Sequence, residues 1–358
     1  MKTRKLLAFL LVATALFSSS CTSNNEKQAP KSPKNVIVMI GDGMGPTQVY
    51  SLVLTSNEKT AFERFPFSGF SITKSASNEI TDSAAGGTAI AVGKKTTNKM
   101  VGMTPDSIAV PSMLEIFADQ GKKTGVVVTC SVTHATPADF IAHNINRNNN
   151  EEIALEIANK EKLDVLFGGG KKYFTERKDS VDLIGKMWEN GWNVYDSLEQ
   201  IEDNNARTMV VACRKHMVKA PERGDFLPKA TAKALEMLDN ENGFFLMVEG
   251  SQIDFACHDN DSATLVEEMR DFNNALNVVL DFAEKDGNTL VVVTADHETG
   301  GLTIVDPESK YTRTDFKWTT GSHSAVFVPI FSYGPGAENF SGIMDNTEVM
   351  KKIMEITK

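Results

Sequence analysis

The chain has 358 residues, a formal net charge of −10, 41% hydrophobic and 8% aromatic residues, and 25 glycines. This ordinary globular usage excludes disordered, collagen-like and coiled-coil classes. The acidic balance argues against nucleic-acid binding, which needs a basic footprint to displace counterions, so an anionic ligand requires a local positive centre.

Lys2, Arg4 and Lys5 precede an apolar run from Leu6 to Phe17, followed by Ser18, Ser19, Ser20 and Cys21. The run is too short to span a bilayer and reads as an export signal over residues 1–20. It resembles a bacterial lipoprotein signal, which makes Cys21 the lipidated first mature residue. A plain secretory signal cut nearby is the alternative. Removing the three basic residues makes the mature chain more acidic by three charges. Either signal implies export, and the lipoprotein type implies the periplasm or outer membrane of a Gram-negative bacterium, with membrane contact only through Cys21. Residues 21–34 read as a polar tether with two prolines, Pro30 and Pro33. Cys130, Cys213 and Cys257 remain, an odd number with no close pairing pattern, so the fold is not expected to rest on disulfides.

Residues 35–358 show no repeat and no low-complexity linker, and read as one domain. Continuous apolar runs predict strands over Val36–Ile40, Gly125–Thr129, Leu163–Phe167, Met209–Cys213, Phe244–Val248, Leu290–Thr294 and Val328–Tyr333. Runs without alternation indicate strands buried on both faces. Between them lie helical patterns, such as Leu265, Met269, Phe272, Leu276, Val279 and Ala283 at spacings of three and four. Strands alternating with helices predict an α/β fold with a mostly parallel central sheet and helices on both faces.

Ligand sites in such sheets collect at the carboxyl ends of strands. Val36–Ile40 runs into Gly41-Asp42-Gly43, Phe244–Val248 into Glu249-Gly250, and Leu290–Thr294 through Ala295 into Asp296-His297. Gly125–Thr129 leads to His134 and Thr136. One Asp-Gly after a strand is a common turn, but four polar strand ends point to a metal centre. Asp254 and His258, four apart at the start of the helix carrying Leu265, can face one ion. His258, His297 and His323 follow strands or turns in acidic company, whereas His143 and His216 read as structural or surface residues. Thr136 before Pro137 is expected to cap a helix with Pro at its first position, and its hydroxyl can also contact a hard cation. Asp82 or Ser83 begins a helix of very small residues, where free amides and the dipole favour an anion.

The segments Gly41 to Gly45, Thr81 to Lys95, His134 to Arg147, Phe167 to Gly170, Val248 to His258, Ala295 to Glu298 and Gly321 to His323 resemble alkaline phosphatases, in the family's order and over the chain from residue 35. The likeness is to compact bacterial members. Only 25 residues lie between His297 and His323, which leaves no room for a large inserted domain.

The resemblance implies roles. Ser83 matches the nucleophile that becomes phosphoserine, and Arg147 the guanidinium that grips two phosphate oxygens. Asp254, His258 and His323 match the ligands of one zinc, and Asp42, Asp296 and His297 those of a second. Asp42 also matches a bridge to magnesium, whose other protein ligands correspond to Thr136 and Glu249. Ligand preference agrees with two zinc ions and one magnesium ion. The implied mechanism is two in-line displacements, with one zinc activating Ser83 and water on the other hydrolysing phosphoserine. Three divalent ions and Arg147 against four carboxylates leave the site net positive, which favours small phosphate monoester dianions over diesters. His134 stands where many bacterial members carry Asp, which alters the magnesium site through its supporting contacts. Phe255 stands where relatives place Lys, His or Trp near the phosphate. A phosphodiesterase of the same superfamily and a non-catalytic phosphate-binding lipoprotein are the rival functions, and a homodimer is compatible with the family.

Overall fold

The computed structural model describes residues 32–307 and 315–358. The proposed export signal, Cys21 and all of the tether before Ser32 lie outside the described residues.

Among the described residues, ten strands form one sheet, and four short ones form two further pairs. In chain order they are β1 (Asn35–Gly41), β2 (Phe67–Ile72), β3 (Lys123–Ser131), β4 (Val165–Gly169), β5 (Trp192–Tyr195), β6 (Arg207–Val211), β7 (Phe244–Gly250), β8 (Thr289–Thr294), β9 (Glu298–Thr299), β10 (Thr303–Val305), β11 (Asp315–Lys317), β12 (His323–Ser324), β13 (Val328–Tyr333) and β14 (Gly342–Asp345). The sheet order is β14-β2-β13-β8-β1-β7-β3-β4-β6-β5. Every pairing is parallel except those of β13 with β2 and β8. The mostly parallel α/β sheet expected from the sequence is therefore present. Between His297 and His323 the described residues form only the small antiparallel pairs β9/β12 and β10/β11.

Strands β1, β4, β7 and β8 are buried throughout, which explains why their sequences are apolar without alternation. The pleat still sorts them. Val36, Val38 and Ile40 join a core with the helices Ser83–Val92, Met113–Asp119 and Ala135–Ile141. Ile37 and Met39 face the opposite core, made with the helices Phe226–Leu238 and Ser262–Asp286. Leu265, Met269, Phe272, Leu276, Val279 and Ala283 are all buried on the last of these, as their spacing requires.

Three sequence expectations are corrected. Strand β6 ends at Val211, and the Cys213 carbonyl lies beyond it, accepting from Gly170 N and Lys171 N. Thr136 is not a helix cap. The helix runs Ala135–Ile141 with His134 at the N-cap, because His134 N closes a turn onto the Ser131 carbonyl at 2.8 Å. Pro137 is still tolerated, since amides of a first turn have no partner within the helix. Asp254 and His258 do not share the helix of Leu265. They form their own helix, Gln252–His258, which ends where Asn260 adopts a positive φ of 52° and Asp261 caps the next helix through Thr264 N. Strands β2, β5 and β14 escaped prediction because they are short and partly exposed, with no continuous apolar run.

Candidate active site

Register brings the polar strand ends together. Ile40 of β1 lies opposite Glu249 of β7 and Thr294 of β8, and Glu249 lies opposite Val128 of β3. Asp42, Glu249 and Asp296 therefore emerge side by side at the carboxyl ends of three central strands. All three are fully buried.

The nucleophile candidate enters from the helix Ser83–Val92. Asp82 caps it, accepting from Ala85 N at 3.0 Å. All ten helix residues are buried, and their small size permits close packing. A Cβ on Gly86 would lie 2.6 Å from the Asp296 carbonyl oxygen, and one on Gly87 would collide with the Asp139 carboxyl. This approach sets Ser83 Oγ 3.1 Å from His297 Nε2.

His297 Nε2 is also 3.2 Å from Asp296 Oδ2 and 3.4 Å from Asp42 Oδ1. Asp254 lies 3.4 Å from His258 Nε2 through Oδ2 and 3.8 Å from His323 Nε2 through Oδ1. The backbone holds the rings in one tautomer. His258 Nδ1 donates to Gly321 O at 2.8 Å and His323 Nδ1 to Thr81 O at 2.8 Å. Thr299 Oγ1 donates to Asp254 Oδ1 at 2.5 Å and so receives the proton of His297 Nδ1 at 3.2 Å. Each Nε2 is thereby left as a lone pair aimed at the carboxylates, the arrangement that ligating histidines adopt.

The orphan atoms test whether cations fit. Both Asp42 oxygens, Glu249 Oε1, Asp296 Oδ2 and Thr136 Oγ1 are buried without a hydrogen-bond partner. Buried charges are normally paired or bound to metal. Burial, then Asp296, Asp254 and Glu249, push the Asp42 carboxyl well above its ordinary range. Burial pushes Glu249 up to about 7, with Asp296 adding repulsion. Burial opposes ionisation of Asp254 too, but the histidines, His258 foremost, hold it well below the ordinary carboxylate range. His258 rises to about 9 through its bond to Asp254, whereas burial, with His297, lowers His323 to about 4. Three sets place their ligand atoms within 4.8 Å: Asp42, Asp296 and His297; Asp254, His297 and His323; and Cys130, His134 and Glu249. The donor chemistry fits bound cations. His258 completes the second set from 3.2 Å, Nε2 to Nε2, beside His323.

Arg147 closes the opposite side. Its Nη1 is 3.4 Å from Asp82 Oδ2, its Nη2 donates to His134 Nε2 at 3.1 Å, and its backbone N donates to Lys99 O. Phe255 packs edge-on between His216 and His134, with ring centroids 5.0 and 5.8 Å away. Every site residue expected from the sequence lies in this region.

The alkaline phosphatase family profile matches residues 33–313 and 305–358. Alkaline phosphatase 4 of Bacillus subtilis (strain 168) is 33% identical over 445 aligned residues, covering 98% of this chain and 96% of its own. The alkaline phosphatase of the Antarctic bacterium TAB5 superposes with a TM-score of 0.88 at 41% identity, covering 91% of this chain and 98% of that one. The chain belongs to the alkaline phosphatase family. A variant of the Antarctic enzyme with a histidine changed to glutamate and magnesium in its M3 site matches with a TM-score of 0.87, at 41% identity and the same 91% and 98% coverage.

An alkaline phosphatase is a phosphomonoesterase, and the resemblance seen in the sequence is borne out for fold, family and reaction. Sequence reasoning missed four contributors to this alkaline phosphatase site. His216 reads as a structural or surface residue, and the sequence does not show that its Nδ1 accepts from Ser131 N or that its ring packs against Phe255. Thr299 and the Lys99 carbonyl act through hydrogen bonds that no motif spacing reveals. Cys130, one of three cysteines that the sequence cannot pair, donates to Glu249 Oε2 at 3.4 Å. All three described cysteines are free.

Proposed function

We propose that this chain transfers the phosphoryl group of a small phosphate monoester to Ser83 and then to water. The observation that carries the proposal is Ser83 Oγ at 3.1 Å from His297 Nε2, beside buried carboxylate oxygens without partners. Two zinc ions, held by Asp254, His258 and His323 and by Asp42, Asp296 and His297, and a magnesium ion at Asp42, Thr136 and Glu249 would supply positive charge and lower the pKa of a hydroxyl or water.

The chain's own residues supply the rest. Ser83 presents its oxygen at a helix start, where unpaired amides favour the developing negative charge. In the first displacement a Ser83 O–P bond forms as the ester O–P bond breaks, and the alcohol leaves. In the second, water attacks phosphorus and the Ser83 oxygen leaves, giving inorganic phosphate with net retention. Arg147 offers two parallel N–H donors to the phosphoryl oxygens, and Asp82 holds its guanidinium in place. Phe255 and His216 pack edge-on against each other beside His134.

The mature enzyme is exported through residues 1–20 and held in the envelope by a lipid on Cys21, with residues 21–34 as tether and 35–358 as the catalytic domain. No helix among the described residues is long and apolar enough to cross a membrane. The experiment is to incubate purified protein with zinc, magnesium and an aryl phosphate, quench in acid and locate the covalent phosphate by mass spectrometry. Phosphate on Ser83 is expected. Phosphate elsewhere, or undiminished turnover in Ser83→Ala, overturns the proposal.

A further inference from the structure

Glu298 directly follows the ligand candidate His297, yet its carboxyl belongs to none of the three cation sets. It is 3% exposed. Four neutral donors close on it from three segments of the chain. Oε1 accepts from Gln48 Nε2 at 2.8 Å and Leu302 N at 3.3 Å, and Oε2 accepts from Gly301 N at 3.2 Å and from Ser324 Oγ. A carboxylate offers about four acceptor positions, so this one is fully occupied. Hydrogen bonds to a charged acceptor are the strong ones, and the donors are held as firmly as the carboxylate.

Those donors belong to the segments that carry the histidines. Gly300 and Gly301 turn the chain with φ of 93° and 56°, which makes the successive amides of Gly301 and Leu302 a nest for the Glu298 carboxylate. The Gly300 carbonyl accepts from Thr319 N and Thr320 N at 3.1 and 3.2 Å, and Gly300 N donates to Ser322 O at 2.9 Å. The anchored stretch ends in His323 and includes the Gly321 carbonyl that takes the His258 Nδ1 proton. Its strand β12 is only two residues long and pairs with β9 as His323↔Thr299 and Ser324↔Glu298. Gln48 Nε2 also donates to the Thr299 carbonyl at 2.8 Å, above the hydroxyl that bonds Asp254. Asp42 and Asp296 need no such anchor. They extend β1 and β8, which are paired from Asn35↔Thr289 to Ile40↔Thr294.

We infer that Glu298 is the positioning residue of the Asp254, His258 and His323 set, anchoring the segment that aims both histidines. The inference rests on the proposed zinc sets. Glu298 reaches no cation itself and acts through Ser324 and the Gly300–Leu302 turn. The set of Asp42, Asp296 and His297 stands on strand register without it.

The test loads wild type, Glu298→Ala and Glu298→Gln with zinc, adds excess chromophoric chelator and follows zinc release with time, counting retained zinc by mass spectrometry. One zinc should leave Glu298→Ala about 10–100-fold faster than the wild type, the range for contacts that orient metal ligands, and the other should leave at the wild-type rate. Glu298→Gln keeps one acceptor oxygen and can donate to Ser324 Oγ, so it should fall between. In a His258→Ala background, where that set is already broken, Glu298→Ala should not change release of the remaining zinc. His143→Gln, a destabilised variant remote from the site, should release both ions at wild-type rates. Equal acceleration of both ions in Glu298→Ala, acceleration of neither, or the same acceleration in His143→Gln overturns the inference. If Glu298→Ala does not fold, Glu298→Gln and Ser324→Ala carry the same comparison. Phosphoserine at Ser83 is measured on the same samples. A wild type that retains no zinc and forms no phosphoserine overturns the proposed reaction and this inference together, whereas phosphoserine with wild-type zinc release in the Glu298 variants refutes this inference alone.

Discussion

Nε2 of His258 faces Nε2 of His323 across 3.2 Å, while each ring donates its Nδ1 proton to a backbone carbonyl. When both rings are neutral, their Nε2 lone pairs are free for one cation beside Asp254; without it, His258 takes up a proton that bonds to Asp254. Removing the cations should therefore make stability depend on pH. Asp42, held well above its ordinary range, loses its contribution to the metal-free fold as pH rises through its folded value, whereas Glu249, raised to about 7, has lost most of its own by that pH. His258, raised to about 9, loses its contribution as pH rises from its unfolded value of ~6.5 through 9. Lowered Asp254 and His323, at about 4, contribute evenly across that range. The melting-temperature gap between metal-loaded and chelated protein should thus widen from pH 7 to pH 9, as calorimetry of both forms would measure. A gap that narrows contradicts the assignment.

Gly86 sets the distance between nucleophile and sheet. A Cβ there lies 2.6 Å from the Asp296 carbonyl oxygen, a backbone atom that cannot yield without moving β8. Gly86→Ala should cost about 1–3 kcal/mol by overpacking. It should also lower kcat by roughly 10²-fold, the order expected for ~1 Å of displacement. Denaturant titration and steady-state kinetics on one preparation separate the two effects.

Arg147 is poised by Asp82 and His134 rather than by its stem. A lysine keeps the charge and loses the fork. Arg147→Lys should lower kcat/KM by about 10²-fold and weaken inhibition by inorganic phosphate. Asp82→Asn, which can keep the cap on Ala85 N while removing the charge that holds the guanidinium, should fall between the variant and the wild type in the same assays.

His143, away from the active site, bridges two glutamates, with Nδ1 3.0 Å from Glu156 Oε1 and Nε2 3.5 Å from Glu115 Oε2. Burial works against its charge, but Glu115 and Glu156 raise it to about 9, while His143 and Lys160 outweigh burial and hold Glu115 at about 2. The histidine's stabilisation is complete below pH ~6.5 and is lost as pH rises through its folded value. His143→Gln should therefore destabilise by about 1–3 kcal/mol at pH 6 and much less at pH 10, as chemical denaturation at the two values would show.

Burial leaves its mark on composition, which is why the central strands could be read directly. Residues closed in on both faces must be apolar, so β1, β7 and β8 appear as unbroken runs, and the polar residues that end them stand out. The short, half-exposed strands β2, β5 and β14 meet no such demand and left no signal. Motif order likewise identified Ser83, Arg147 and the eight candidate ligands, because this chemistry admits few side chains at each place. Helix boundaries around Asp254 and Thr136 were misjudged, since Asn260 and the turn onto Ser131 act through backbone conformation rather than residue type.

By itself, the sequence determined the α/β class, the family and the polar groups gathered at the strand ends. Tertiary structure alone decided which of those groups meet. Strand register sets Asp42 between Glu249 and Asp296, backbone carbonyls choose the tautomers of His258 and His323, and a register shift falls where Cys130 meets Glu249. These are relations between residues up to hundreds of positions apart. Their energies depend on distance in space, which spacing along the chain does not encode.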